Sequence, residues 1–317
     1  MSTRINTNTT AFEASRNLTA NSNALAKNIE HLSSGLRINS AADDASGLVI
    51  STYLRGQSVG LQQATKNTND AINEVKTAEG ALNEVHSLLL TIRQTVLHSA
   101  NVGANDSGAL SADQAVIKNA VDSIDRIAKT TQFNNNNLLA GAGAGSASGS
   151  NAALSLTFQI GANGGQTVTV NINDRRSQNI GAATSYTKAD GTTGTLSGVS
   201  LNSLATTTTT GSAVDVTNTA TSGDAAQQAL AIVDKAIKDI STTRASLGAV
   251  ESNELQTTVN SLAVQQSNTD SAVSTIRDTE LASEVVSYTK NQILVQAGTS
   301  ALSQANQAPQ AILRLLQ

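Results

Sequence analysis

Between Leu61 and Val96 the apolar positions keep a seven-residue beat. Leu61, Thr68, Val75, Leu82, Leu89 and Val96 stand seven apart, and Ala64, Ala71, Ala78, Val85 and Ile92 each follow one of them by three. This is an a/d heptad pattern with one polar exception. It predicts a helix roughly 54 Å long at about 1.5 Å per residue. Alanine at three of the d positions lets a partner helix approach closely. Such a seam is not stable alone in water and requires a partner. The C-terminal third supplies one. Leu255, Val259, Leu262, Gln266, Thr269, Val273 and Ile276 step alternately by four and three, and Ala226, Leu230, Val233, Ile237 and Ile240 keep the same rhythm. A shorter helix is expected through Ile117, Ala120, Ile124 and Ile127, with Ser111 as N-cap and Gln114 completing a capping box. Gly103 and Gly108 mark the turn before it.

The chain ends carry stripes of their own. Leu18, Leu25, Ile29, Leu32 and Leu36 mark the first, and Leu302, Ala305, Pro309, Ile312 and Leu316 the second. Both spacings suit amphipathic helices, and Pro309 is expected to kink or interrupt its helix. The stripes could belong to ordinary surface helices on one core. Their position at both ends, where order normally needs docking, argues for pairing instead. Between the flanks the period changes to two. Leu154, Leu156, Phe158 and Ile160 alternate with polar residues, Ala162-Asn163-Gly164-Gly165 turns the chain, and Val168, Val170 and Ile172 alternate again. This is a β-hairpin signal. Residues 184–222, with Thr206–Thr210 and many Gly and Ser, lose periodicity and read as a small β-rich knob or a flexible excursion. The expected fold is mainly α: a long antiparallel helical bundle or coiled coil built from both chain ends, with a β-hairpin and a short β or irregular outer region in the middle.

Composition sharpens this picture. Only 14% of the 317 residues are charged and 2% are aromatic, so the core must be made of many small contacts between Ala, Leu, Val and Ile. Long helices packed side by side do this well. The balance of 20 basic and 24 acidic residues lacks the basic excess of a nucleic-acid surface. No stretch is long and apolar enough to span a membrane. The first eight residues have no apolar core of a secretory signal, so the chain is expected to be cytoplasmic or exported without a cleaved signal. Cysteine is absent, which excludes disulfides, thiolate metal sites and thiol nucleophiles.

Catalytic chemistry is equally hard to find. His31, His86 and His98 show no metal-ligand spacing. Asp43-Asp44 is the only adjacent carboxylate pair, and it reads as a helix cap. The Gly-rich stretch 141–149 lacks the Lys-Ser/Thr of a phosphate loop, and no serine sits in a Gly-x-Ser-x-Gly elbow. Residues 141–222 contain no His or Cys. Neither an enzyme nor a cofactor is expected. A coiled-coil adhesin would need longer heptads and an anchor.

Two long segments carry a resemblance. Leu32-Ser33-Ser34-Gly35-Leu36-Arg37-Ile38-Asn39-Ser40-Ala41-Ala42-Asp43-Asp44-Ala45-Ser46-Gly47-Leu48 resembles the N-terminal signature of bacterial flagellins. Asn291-Gln292-Ile293-Leu294-Val295-Gln296-Ala297-Gly298-Thr299-Ser300-Ala301-Leu302, with Gln304–Gln310, resembles the C-terminal one. Thr131-Gln132-Phe133-Asn134 also fits. Together the similarity covers roughly the first 140 and last 95 residues. A hook–filament junction protein or other flagellar axial protein is the alternative, and the C-terminal signature reaching Gln317 argues against it.

The resemblance implies a layout. Residues 1–42 would be the N-terminal inner-tube helix and spoke, and 43–180 the N-terminal rod helices with the hairpin. Residues 181–222 would be a variable solvent-facing region, 223–272 the C-terminal rod helix, and 273–317 the C-terminal inner-tube helix. Assembly would use Leu18, Leu25, Ile29, Leu32, Leu36, Leu302, Ala305, Ile312 and Leu316. The rod seam would use Leu61, Val75, Leu82, Val85, Leu89, Ile92, Val96, Leu255, Val259 and Leu262, and the spoke Gly35, Arg37, Asn39, Asp43 and Asp44. The implied function is a structural subunit that polymerises with itself into the flagellar filament for swimming motility. The implied route is export, unfolded or partly folded, through the flagellar type III apparatus, followed by assembly at the tip under a cap protein. An export chaperone would mask Leu302–Leu316, and hook-associated junction proteins would be further partners.

The sequence departs from the family pattern in places. Asn135 stands where a Gly is frequent, and Asn tolerates the left-handed turn. Thr275 precedes Ile276 where an Arg is frequent and Arg277 follows, so an ion pair made there in relatives is expected to be moved or lost. Strong binders of the innate Toll-like receptor carry Arg, Leu and Glu where Thr91, Thr95 and Val116 align here, while Arg93 and Ser99-Ala100-Asn101 remain. Weak receptor recognition is therefore expected.

Overall fold

The computed structural model describes residues 8–101, 104–141, 153–181, 185–187, 193–195, 200–205 and 222–315, with backbone alone at 185–187, 193–195, 222–224 and 308–315. Expectations for Thr206–Thr210, for Leu316, for most of 141–149 and for the side chain of Ile312 lie outside the described residues. The helices are α1 (Thr9–Ser34), α2 (Ala45–Ser99), α3 (Ser107–Thr130), α4 (Ser222–Ala249), α5 (Gln256–Arg277) and α6 (Leu281–Leu315). Three antiparallel strand pairs complete the order: β1 (Gln132–Phe133) with β2 (Asn136–Asn137), β3 (Leu154–Gln159) with β4 (Thr167–Ile172), and β5 (Ser185–Thr187) with β6 (Thr193–Thr195). The chain divides into two compact units, residues 1–59 with 264–317, and residues 60–263.

Residues 60–263 have a core of their own. The heptad positions Ala71, Val75, Ala78, Leu82, Val85, Leu89, Ile92 and Val96 of α2 cluster with Ile117 and Ile124 of α3 and with Ala229, Val233 and Ile240 of α4, all buried. Polar ties run antiparallel along α2 and the C-terminal flank: Arg93 to Asp234 at 2.8 Å, Glu79 to Arg244 at 3.9 Å and Lys76 to Glu251 at 3.4 Å. These exposed pairs add little energy individually, so the apolar seam carries the packing. Leu61, Ala64 and Leu262 form a smaller cluster with Ala162 against it.

The cap of α3 differs from the expected one. Asp106, extended at ψ 174°, accepts the Ala109 amide at 2.7 Å. Ser111 lies inside the helix and donates to the Ser107 carbonyl at 2.8 Å, and Gly108 is in the first turn. A carboxylate at the N-terminus gains from the helix dipole as well as the hydrogen bond, which favours Asp106 over the serine.

One irregularity interrupts the C-terminal flank. Ala226, Val233, Ile240 and Leu247 are buried at intervals of seven, and so are Leu255 and Leu262, but Leu247 and Leu255 are eight apart. A π-helical stretch, Val250–Leu255, absorbs the additional residue and keeps both runs facing the core.

The hairpins follow their turn chemistry. Asn134 and Asn135 both hold positive φ, at 45° and 70°, as the two-residue turn between β1 and β2 requires. Asn135 thus does the work expected of glycine. In β3 and β4 the pairs Leu154↔Ile172, Leu156↔Val170 and Phe158↔Val168 share one face, and all pack on the main cluster. After β4 the chain enters a buried polar loop that apolar periodicity could not reveal. Asp174, 3% exposed, receives Arg176 at 2.9 Å (Nε) and 2.5 Å (Nη2) and the Asn179 amide at 2.6 Å. Arg175 donates its backbone N–H to the Leu139 carbonyl at 2.8 Å, and Ser177 donates its own to Asp125 at 2.6 Å. Burial lowers the Arg175 guanidinium from its usual range, while Asp239 and Asp174 oppose that shift. Gly181 closes the loop at φ 73°, where a Cβ would lie 2.7 Å from the Ile232 carbonyl.

No helix of the described residues is long and apolar enough to cross a membrane. Helix α6 runs without interruption through Pro309, contrary to expectation. A proline removes one amide donor, and the flanking turns carry the helix past it.

Candidate functional site in the terminal helices

The other unit is built from α1, α2 as far as Val59, α5 from Val264, and α6. Helix α1 starts at Asn8, whose side chain accepts the Ala11 amide at 3.0 Å, and ends at Gly35, which adopts φ 70° and donates to the His31 carbonyl at 2.8 Å. A left-handed C-cap favours glycine because any Cβ is strained there. The chain then makes a short antiparallel bridge, Leu36 with Asp278. Arg37 N donates to the Arg277 carbonyl at 2.7 Å, Thr279 N donates to the Gly35 carbonyl at 3.0 Å, and Arg37 Nη2 reaches the Ile276 carbonyl at 2.7 Å. Arg277 Nε donates to the Ile38 carbonyl at 3.4 Å.

The residues predicted for the spoke form a linked turn. Asn39 donates to Glu30 at 2.7 Å, Asp44 caps α2 by accepting the Gly47 amide at 2.8 Å, and Asp43 accepts the Ser40 amide and hydroxyl, each at 3.0 Å. Lys27 Nζ stands 2.8 Å from Asp43 Oδ1. The hydrogen bond from Lys27, then those from Ser40, hold the Asp43 carboxyl well below its ordinary range, and Asp43 in turn raises the lysine.

Helices α1 and α6 pair antiparallel. Asn8 Nδ2 donates to the Ala305 carbonyl at 2.8 Å at one end. In the middle, a Cβ placed on Gly298 would lie 3.7 Å from the Leu18 Cβ. Toward the other end Asn28 donates to Glu284 Oε1 at 2.6 Å and accepts from Asn291 Nδ2 at 2.7 Å, with His31 Nδ1 at 3.3 Å from the same glutamate oxygen. The half-buried positions of α1 step through Ala11, Ala14, Leu18, Asn21, Leu25 and Leu32, with Asn28 buried. Those of α6 step through Glu284, Tyr288, Asn291, Val295, Gly298, Leu302 and Ala305.

The predicted assembly residues therefore divide. Leu18, Leu25, Leu32, Leu302 and Ala305 lie in this seam, Ile29 faces outward at 51% exposure, and Leu36 is past the helix in the bridge. A stripe drawn through apolar residues alone drifts across the helix, because it steps over Asn28. The polar layer of Asn28, Glu284 and Asn291 was missed for that reason, although Asn28 sits three residues after Leu25 and four before Leu32.

Outside the seam several large apolar side chains stay exposed. Phe12, Val49, Tyr53, Val59, Val264, Leu281, Val285, Val286 and Ile293 are exposed in this unit, and Ile38 is its one fully buried apolar side chain among the described residues. In residues 60–263 only Leu90, Leu97 and Val116 are large, apolar and exposed among those described. The predicted rod seam from Leu61 to Val96 is buried, with Leu255 and Leu262, and Val259 is half-buried. Thr91 is exposed and Thr95 half-buried, each with its hydroxyl on a helix carbonyl one turn back.

The comparisons agree with this architecture. The family model described as bacterial flagellin N-terminal helical region matches residues 5–144, and that described as bacterial flagellin C-terminal helical region matches residues 230–316. The flagellin of Bacillus subtilis (strain 168) is 43% identical over 314 residues, 99% of each chain. The flagellin of Halalkalibacterium halodurans is 37% identical, covering 98% of this chain and 99% of its own. The flagellar filament 33 kDa core protein of Treponema phagedenis shows the same identity and coverage. The chain belongs to the bacterial flagellin family and is a structural subunit, not an enzyme, that assembles with its own kind into the extracellular flagellar filament.

Proposed function

We propose that this subunit polymerises through its chain ends while residues 60–263 fold as a self-sufficient body. The observation that carries this reading is the exposed apolar surface concentrated in the terminal unit. A monomer in water gains nothing from Phe12, Val286 or Ile293 at the surface, whereas neighbouring subunits burying them would gain about 25 cal/mol per Å². The paired ends form the inner tube, Gly35 to Asp44 is the spoke, and the α2–α5 seam is the rod. Residues 181–222 are the variable solvent-facing region. Coupling order at the ends to contact with neighbours keeps the chain export-competent before assembly. It travels through the flagellar type III apparatus, with an export chaperone masking the C-terminal stripe and cap and hook-associated proteins bounding the filament. Thr91, Thr95 and Val116 leave the rod face a weak ligand for the Toll-like receptor.

Seeded polymerisation of the purified chain, viewed by negative-stain electron microscopy, tests the central claim. The full chain is expected to give long filaments. A chain lacking residues 1–35 and 303–317 is expected to stay monomeric and folded. Filaments from the truncated chain, or none from the full chain with seeds present, would overturn it. Deleting 303–317 alone is expected to abolish assembly. In reporter cells the response should fall well below that of a strong-binding flagellin, and equal potency would remove the receptor claim.

A further inference from the structure

Around Asn28, between the seam leucines Leu25 and Leu32, the pairing of α1 and α6 turns polar groups inward while apolar ones on α6 stay outside. Along the stretch of α6 that meets Asn28, the inward positions include Glu284 and Asn291, and Val285, Val286, Ile293 and Leu294 are 37–68% exposed. On α1, Asn28 is buried and Ile29 beside it is 51% exposed. On this stretch of α6 hydrophobic burial alone would favour the opposite facing. We propose that the buried Asn28–Glu284–Asn291 layer selects which faces of α1 and α6 meet, and so holds the apolar faces outward for neighbouring subunits. This rests on the self-assembly reading above.

The chemistry favours a selector. The Asn28 amide donates to Glu284 at 2.6 Å while its carbonyl accepts from Asn291 at 2.7 Å. Both ends of one buried amide are satisfied in this facing, one of them by a carboxylate. Rotating α6 by one residue, about 100°, sets Ser283 and Lys290, or Val285 and Gln292, in place of Glu284 and Asn291 and loses that charge-assisted bond. Buried polar residues in helical seams fix pairing at a cost in stability. The bridge at Leu36 and Asp278 joins the helices at one end but does not dictate their rotation along the remaining turns. Farther along, Gly298 accommodates Leu18, and a Cβ on the glycine would approach Leu18 Cδ1 to 3.2 Å.

The absence of cysteine makes the facing measurable. Leu18→Cys with Gly298→Cys places the two Cβ atoms about 3.7 Å apart, within disulfide range. Seeded filaments of this double-cysteine chain are oxidised and dissociated, and the intrachain disulfide is read as a fraction of total chain. The parent pair is expected to cross-link in most chains. Adding Asn28→Leu and Asn291→Leu is expected to lower the cross-linked fraction, read in the same way from the filaments that form, at least threefold and to cut filament yield by a similar factor. Asn28→Asp sets two carboxylates face to face and should reduce both readouts. Combining it with Glu284→Gln reverses the donor and acceptor and should restore both.

An unchanged cross-linked fraction in the leucine variant, or failure of the reversed pair to rescue it, would overturn the selection. So would failure of the parent pair to cross-link. Reduced cross-linking with unchanged filament yield would remove the link to assembly. Failure of the cysteine-free parent chain to polymerise would count instead against the self-assembly reading.

Discussion

Residues 60–263 and the chain ends use the same helical rhythm to opposite effect. In the first, α2 offers Val75, Leu82, Val85 and Leu89 to helices on more than one side, and each is sealed from solvent. In the second, α1 meets α6 in a single seam of half-buried residues, with Leu, Ala and Gly alternating against Asn and Glu. A heptad stripe therefore says that a helix has a partner but not how completely the partner covers it. Coverage depends on how many neighbours surround the helix, and in the assembly proposed above those of the ends are other subunits.

The strongest way to break this contrast is to strip residues 60–263 of their internal ties. Asp174→Ala leaves Arg176 without its carboxylate and removes one of the two acids that face the buried Arg175, and should cost about 3–5 kcal/mol. The thermal midpoint of the monomer should fall accordingly, and an unchanged midpoint would show that the polar loop is dispensable. Next, Leu89→Ala empties a fully buried seam position and should cost about 3 kcal/mol in the same scan. Leu25→Ala, in the half-buried seam of the ends, should leave that midpoint in place and slow seeded polymerisation. If both variants moved the midpoint equally, the two units would share one stability.

Smaller effects sharpen the comparison through pH. Burial raises the Glu74 carboxyl, whose Oε1 has no partner among the described residues. The unfolded chain gives up this proton first, so stability falls as pH rises from the ordinary glutamate range through the raised value. Glu74→Gln should therefore stabilise residues 60–263 at neutral pH by about 1 kcal/mol, with the gain vanishing below about pH 4. Denaturant titrations at two pH values measure it. Asp43 has the opposite sign. Its lowered carboxyl contributes above the ordinary aspartate range, and the contribution is lost as pH falls through the folded value. Amide protection at the end of α1, taken relative to intrinsic exchange at each pH, should fall on acidification in the parent chain. Asp43→Asn should show that lower protection already at neutral pH.

Much of this was legible in the sequence. The α2 seam was, because an unbroken run of buried apolar positions leaves a period that composition cannot hide. So were the β3–β4 hairpin, from its alternation and its Asn-Gly-Gly turn, and the cap at Asp44. The site in the ends was only half legible. Leu18, Leu25 and Leu302 announce a stripe, but the layer that orients it is made of Asn28, Glu284 and Asn291, which an apolar scan discards. The expected cap of α3 falls a turn too late, because Leu110, buried seven residues before Ile117, is left out of the stripe, and the helix begins at the exposed Ser107 and Gly108. The loop around Asp174 left no periodic signal, since its order comes from hydrogen bonds to α3 and to Leu139, far away in sequence.

The π-helical stretch at Val250–Leu255 gives the chain an unusual tolerance. Removing a residue from the middle of a long packed helix normally rotates everything beyond it by about 100° and turns its buried face to water. Here the spacing of eight between Leu247 and Leu255 already contains one residue too many for the seam. A single deletion within 250–254 would return the flank to an ordinary α-helix with both runs still in phase. In a protein whose helices must keep register over many turns, this is a place where the gene can lose a codon and the seam stays aligned.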